Sequence, residues 1–186
     1  MEVIDIKIFF GCSSHNNIDN KFINDAEEIS HFLSKNNDLI IGGLMDDGMM
    51  GKIIKQFKAN KRKINLYTLK LYNEDVSNFK GNYKYFDSTF DRTKNIYNDS
   101  DIIIILPGGT GTLAELFSIL EEKRTIETNK KIIIYNQDGY YYDIIKLITR
   151  MIKDNFNGIE IFNNINVFND KNDLIKYMEE LKWKTK

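Results

Sequence analysis

One cysteine, one proline, one tryptophan and two histidines are all that 186 residues hold of those types. Each shortage excludes something. A lone Cys12 cannot close an internal disulfide, which suits a reducing compartment and leads to the expectation of a cytoplasmic protein. His15 and His31 fall on different elements and form no ligand cluster with Cys12, so no metal and no cofactor are expected. Neither sign of charge dominates: 26 basic against 27 acidic residues leave a formal charge of −1. No global attraction to nucleic acid or to an anionic membrane follows from that balance. No apolar run approaches the roughly 20 residues that span a bilayer, and acids at Glu2 and Asp5 interrupt what would have to be a signal-peptide core. No repeat or proline-rich linker divides the chain. Its length fits one domain, residues 1–186, with room for a sizeable core.

What is present is isoleucine in short runs, alternating with helical patterns. Strands are expected at Ile4–Gly11, Asp38–Ile41, Ile64–Leu69, Asp101–Leu106 and Lys131–Tyr135, with weaker ones at Tyr83–Phe86 and Asn166–Phe168. Helices are expected near Asp19–Lys35, Met49–Asn60, Ser88–Asn98, Thr112–Lys123, Tyr140–Lys153 and Asp170–Leu181. Continuous apolar strands flanked by helices imply a sheet covered on both faces. The fold class is therefore α/β, a Rossmann-like, doubly wound, mostly parallel sheet. Ligands of such sheets bind beyond the carboxyl ends of the strands, where strand order reverses. Three loops rich in Gly, Ser or Thr follow strands and should converge there: Gly11–Ser14, Gly42–Gly51 and the segment after Leu106.

That last segment, Pro107-Gly108-Gly109-Thr110-Gly111-Thr112-Leu113-Ala114-Glu115, is the most telling in the chain. Strand, glycine-rich turn and helix together hold a phosphate: the glycines admit an anion to the backbone, and the helix offers unpaired N–H groups and its positive dipole end. Thr110 and Thr112 add hydroxyls. Leu113, Leu116, Phe117 and Leu120 form the apolar face of the helix, and Glu115 falls in its first turn. No lysine follows the last glycine, so this is not a nucleoside-triphosphate P-loop, and the spacing is not that of the dinucleotide fingerprint.

The same residues resemble the LOG (Lonely Guy) family, the cytokinin riboside monophosphate phosphoribohydrolases once labelled lysine decarboxylases. Pro107 through Glu115 match its signature PGGxGTxxE in full. Arg92, nine residues before Asp101, resembles the family arginine, although Arg-Lys there is replaced by Arg92-Thr93. The Gly42–Gly51 loop is similar to the GGGxxGLMG element in Gly43, Gly48, Met50 and Gly51, with Leu44 and Met45 where glycines are usual and Met49 in place of Leu. Gly11-Cys12-Ser13-Ser14 resembles the first-strand GSS turn, and Asp138-Gly139-Tyr140-Tyr141 resembles a DGYY segment. The likeness runs from about Lys7 to Lys153.

The resemblance implies hydrolysis of the N-glycosidic bond of a nucleoside 5′-monophosphate to free base and ribose 5-phosphate. The phosphate would lie on Gly108, Gly109, Thr110, Gly111 and Thr112, with Ser13, Gly43 and Gly48 also lining the binding site. Glu115 would stabilise the oxocarbenium-like charge that develops on the ribose, or orient its hydroxyls or a water. Arg92 would orient Glu115 or grip phosphate bidentately. A small-molecule nucleotide is the expected partner, and a homodimer follows from the resemblance alone. The alternative is a non-catalytic nucleotide sensor of the same superfamily. Met45, Met49 or the Tyr140 region would wall the base pocket. Cys12 reads as a small side chain beside the first turn, Tyr140–Tyr142 as core and rim aromatics, and Glu121–Arg124 as a solvated helix end.

Overall fold

The computed structural model describes residues 6–43, 48–72, 81–126, 130–162 and 165–184, the side chains of 182–184 aside. Among them are seven strands: β1 Ile6–Gly11, β2 Asn37–Ile41, β3 Ile64–Leu69, β4 Asn82–Phe86, β5 Ile102–Ile105, β6 Lys131–Tyr135 and β7 Ile165–Phe168. The helices are α1 Asn20–Leu33, α2 Gly48–Ala59, α3 Thr89–Asp99, α4 Thr110–Thr125, α5 Tyr142–Lys153 and α6 Lys171–Lys184. Side chains start two of them: Asp19 accepts the Lys21 N–H at 3.0 Å before α1, and the Ser88 hydroxyl accepts the Asp91 N–H at 3.1 Å before α3.

The strands form a single sheet in the order β4-β3-β2-β1-β5-β6-β7, every neighbouring pair parallel. Winding starts at β1, runs outward to β4, then returns to the other side of β1 at β5. The crevice between β1 and β5 is thus the switch point, and Gly11 pairs there with Ile105. The alternation of side chains along each strand divides the core in two. Ile8, Phe10, Leu39, Ile41, Ile104 and Ile133 pack beneath α1, α2 and α6. Phe9, Ile40, Ile103, Ile105, Ile132 and Ile134 pack beneath α3, α4 and α5. Strands this apolar on both faces need helices on both faces, which is what the isoleucine runs encode.

The α/β reading and all seven strands hold, with ends moved by a residue or two; Ile4 and Asp5 of the first expected strand lie outside the described residues. Three short 3-10 turns, Lys70–Tyr72, Gln137–Gly139 and Ile159–Phe162, had no periodic signal to reveal them. Two corrections concern α4. It begins at Thr110 rather than Thr112, so Glu115 sits in the second turn, not the first. Phe117 is 39% exposed while Ile119 is fully buried, because the helix packs on a line through Leu116, Ile119 and Leu120. A third concerns the second glycine-rich loop: Gly48 to Gly51 already form the first turn of α2, and Met49 is core, 1% exposed, rather than a pocket wall.

Candidate functional site

The carboxyl ends of β1 and β5 are joined by their own backbones. The Leu106 N–H donates to the Gly11 carbonyl at 2.8 Å, and the Ser13 N–H donates to the Pro107 carbonyl at 3.2 Å. The Thr112 hydroxyl, buried at the start of α4, donates to the Cys12 carbonyl at 3.1 Å. These three bonds lock the Gly11–Ser14 turn against the Pro107–Gly109 turn. Gly108 is obligatory in this geometry: an added Cβ would land on the Thr112 hydroxyl and 2.7 Å from its Cβ.

The turn leaves donors over. The Gly108, Gly109, Thr110, Gly111 and Thr112 amides have no acceptor among the described residues, whereas the Leu113 N–H is taken by the Gly109 carbonyl at 3.0 Å. Gly109, Thr110 and Gly111 are exposed. Five neighbouring N–H groups at the mouth of a 16-residue helix form a ready anion cradle. The Thr112 hydroxyl is already committed to Cys12, so this residue offers its amide rather than its side chain.

Glu115 lies deeper, one turn along α4, with its carboxylate against the switch point. Its Oε1 lies 3.0 Å from where a Cβ on Gly42 would stand, and its Oε2 3.5 Å from the same point on Gly11. A Cβ on Gly42 would crowd that carboxylate, whereas at Gly11 the tighter obstacle is Ile105 Cδ1, 2.8 Å from where a Cβ would stand; the motif reading missed both. Arg92, in the first turn of α3, donates from Nη2 to Glu115 Oε1 at 3.0 Å. The arginine and glutamate side chains are 15% and 10% exposed. Burial pushes the Glu115 carboxyl up to about 7, and the Arg92 charge and hydrogen bond offset that only in part. Arg92 Nε is buried and has no acceptor among the described residues. The pair therefore holds unused capacity on both sides.

The remaining expected residues fall around this centre. Ser13 is buried, and its Oγ accepts the His15 N–H at 3.1 Å. Gly48 opens α2 with φ of +64°, and a Cβ there would come 2.7 Å from the His15 carbonyl, which ties the β2 loop to the β1 loop. Gly43 lies beside the Met50 side chain. Leu44, Met45, Asp46 and Asp47 lie outside the described residues. Burial pushes the Cys12 thiol far up, so it is no thiolate nucleophile. His15 is exposed in its turn, and His31 meets Gln56 on the helix surface. Two surface grooves of about 620 and 770 Å³ flank α5, lined by residues such as Phe117, Leu147 and Met151 or Lys146, Arg150 and Val167. Neither contains the converging donors, and the site is placed by those donors rather than by cavity size.

Residues 41–178 match the model of a family described as "possible lysine decarboxylase". The cytokinin riboside 5′-monophosphate phosphoribohydrolase LOG1 of Arabidopsis thaliana is 28% identical over 154 residues, which cover 81% of this chain and 71% of that protein. LOG3 of the same plant, with the same activity in its name, is 27% identical over 133 residues, covering 68% of this chain and 60% of its own. Among solved structures, the molybdenum cofactor carrier protein of Chlamydomonas reinhardtii superposes with a TM-score of 0.71 at 16% identity, covering 95% of this chain and 98% of the other. DNA processing protein A of Streptococcus pneumoniae gives 0.59 at 11% identity, covering 92% and 61%. At those identities the structures attest to the fold alone.

Proposed function

Since this chain belongs to the LOG family, we propose that it hydrolyses the N-glycosidic bond of a nucleoside 5′-monophosphate, AMP or a cytokinin riboside monophosphate. The observation that carries the proposal is the buried Arg92–Glu115 pair set beside five unpartnered amides. A nucleotide needs both: an anion cradle to hold its phosphate, and a carboxylate to face its sugar.

With the phosphate on Gly108–Thr112, C1′ is held in a fixed place relative to Glu115. As the C1′–N bond breaks, its electron pair leaves with the base and positive charge builds on the ribose. The Glu115 carboxylate, in a site of low dielectric, stabilises that charge more than water would. Water then adds its oxygen to C1′; one proton goes to the departing base nitrogen or to solvent. Arg92 favours the ionised form of Glu115 and orients it, and its Nε remains for a ribose hydroxyl or a phosphate oxygen. No metal is invoked.

A non-catalytic nucleotide sensor needs the cradle but not a buried carboxylate at the sugar. The test is chromatography of AMP, prenyl-AMP, GMP and CMP after incubation with the protein. Free base appearing with ribose 5-phosphate is the expected result and ranks the substrates; binding without release would make the crevice a sensor. Two lesser expectations remain proposals. A homodimer would use the apolar face around Phe117, Leu147 and Phe156, which are 39%, 45% and 81% exposed. A cytoplasmic location is compatible with the described residues, none of whose helices is long and apolar enough to cross a membrane.

A further inference from the structure

From the hydrogen bonds around the Pro107–Gly109 turn we infer that Tyr140 is a positioning residue for phosphate binding: its hydroxyl holds the Gly108 carbonyl away from the crevice and thereby aims the Gly109 amide into it. The inference rests on the proposed nucleotide site.

Every carbonyl through the turn has a donor. The Tyr141 hydroxyl donates to Leu106 O at 2.7 Å, the Ser13 N–H to Pro107 O at 3.2 Å, the Tyr140 hydroxyl to Gly108 O at 2.7 Å, and the Leu113 N–H to Gly109 O at 3.0 Å. A peptide unit carries its carbonyl and the next residue's N–H on opposite sides. Pinning the Gly108 carbonyl outward therefore fixes the Gly109 N–H inward. Rotating that one peptide plane would turn a lone pair toward the bound anion and take a donor away. A glycine-rich turn has little intrinsic preference between the two arrangements, so something outside the turn must choose. Two of the four donors are side chains, both supplied by consecutive residues of another segment.

That segment is itself anchored. The Tyr141 N–H donates to the Asn136 side chain at 2.6 Å, and Tyr141 is 1% exposed. Tyr140 packs edge-on against Phe22, with ring centroids 6.0 Å apart, and edge-on against Tyr141 at 5.1 Å. The Lys21–Asp138 ion pair, at 2.8 Å, links the same turn to the start of α1. Burial pushes the Tyr141 hydroxyl far up, so it stays a donor throughout the accessible pH range. Neither tyrosine is needed to close the sheet, and their rings could pack equally well as phenylalanines. The hydroxyls are what the turn uses.

The test is Tyr140→Phe, which keeps the ring and removes only the hydroxyl of a half-exposed residue. Ribose 5-phosphate binding, read by calorimetry, should weaken about five-fold, the value of one hydrogen bond of about 1 kcal/mol. With AMP the same factor should appear in KM while kcat changes by less than two-fold, and the melting temperature should stay within about 2 °C. Tyr141→Phe is the control: it leaves the buried Leu106 carbonyl without its donor and should lower stability, but that peptide unit ends in Pro107, which has no N–H to aim, so ribose 5-phosphate affinity should stay within about two-fold. Unchanged ribose 5-phosphate affinity in Tyr140→Phe would overturn the positioning role while leaving the site intact. If the unaltered protein binds neither ribose 5-phosphate nor AMP, the nucleotide site itself fails, and the positioning role with it.

Discussion

Two buried arginine–carboxylate pairs sit at opposite ends of the same sheet, and only one of them looks equipped to act. At the amino end, Arg62 Nη2 meets Asp38 Oδ1 at 3.0 Å; at the carboxyl end, Arg92 Nη2 meets Glu115 Oε1 at 3.0 Å. Burial is similar, with the carboxylates 4% and 10% exposed. The surroundings differ. Asp38 also accepts the Lys63 N–H at 3.2 Å, and Arg62 Nε donates to the Asn37 carbonyl at 3.0 Å. That network joins the starts of β2 and β3 and is closed. Among the described residues Glu115 has Arg92 alone and Arg92 Nε has no acceptor, and the carboxyl rises to about 7. A buried charge pair is by itself a weak sign of function. Leftover hydrogen-bonding capacity beside free amides is a better one.

The largest expected effect separates the two pairs outright. Glu115→Gln should cut release of free base by about 10²- to 10³-fold while nucleotide affinity stays within about tenfold, roughly 1.4 kcal/mol. Asp38→Ala should do the reverse. Removing one partner of a closed buried pair costs on the order of 3 kcal/mol, or about 10 °C in melting temperature for a chain of this size, with kcat unchanged. Activity assays and thermal melts on both variants decide it. Base release at the parent rate from Glu115→Gln would end the mechanistic assignment, and a catalytic loss in Asp38→Ala would dissolve the contrast.

Arg92→Lys comes next. An ammonium can still reach Glu115 but cannot also offer a second, fixed donor where Nε now stands. A fall in kcat of about ten-fold is expected, against an effect on stability of about 1 kcal/mol for Arg62→Lys at the other pair. Equal rates for Arg92→Lys and the parent would reduce Arg92 to a neutralising charge.

How much of this could be read from residues alone varied with the kind of information. The sheet was legible because isoleucine runs such as Ile102–Ile105 have one stable fate, burial on both faces. The strand, turn and helix that carry the proposed anion cradle were legible because glycine spacing is local and the three are contiguous from Ile102 to Glu115. Arg92 and Glu115 stand 23 residues apart, and their meeting depends on α3 and α4 packing side by side, which no local pattern records. The space-making roles of Gly11 and Gly42 were hidden for the same reason, since what a side chain would meet there, Ile105 at Gly11 and the Glu115 carboxylate at Gly42, comes from another element. So were the tyrosine hydroxyls: a Tyr-Tyr pair after a strand looks like core and rim, and only the placement of the β6 turn against the β5 turn reveals what the hydroxyls touch.

The smallest effect is a slope, and it tests the openness of the Glu115 pair most directly. A carboxyl at about 7 in the folded protein and near 4.5 in the unfolded chain binds its proton more tightly when folded. Its contribution is therefore fully present below about pH 4.5 and is lost as pH rises through 7, because ionising Glu115 in its buried place costs more than ionising it in water. Between pH 6 and 8 the parent should lose about 1 kcal/mol relative to Glu115→Gln, a few degrees of melting temperature. The catalytic profile has the opposite sign. If the carboxylate stabilises the sugar cation, kcat/KM for AMP should climb with pH and level off above about 7, as the ionised form of the free enzyme accumulates. A kcat/KM that instead declines through pH 7 would make Glu115 the acid that protonates the leaving base, keeping the residue and reversing its role.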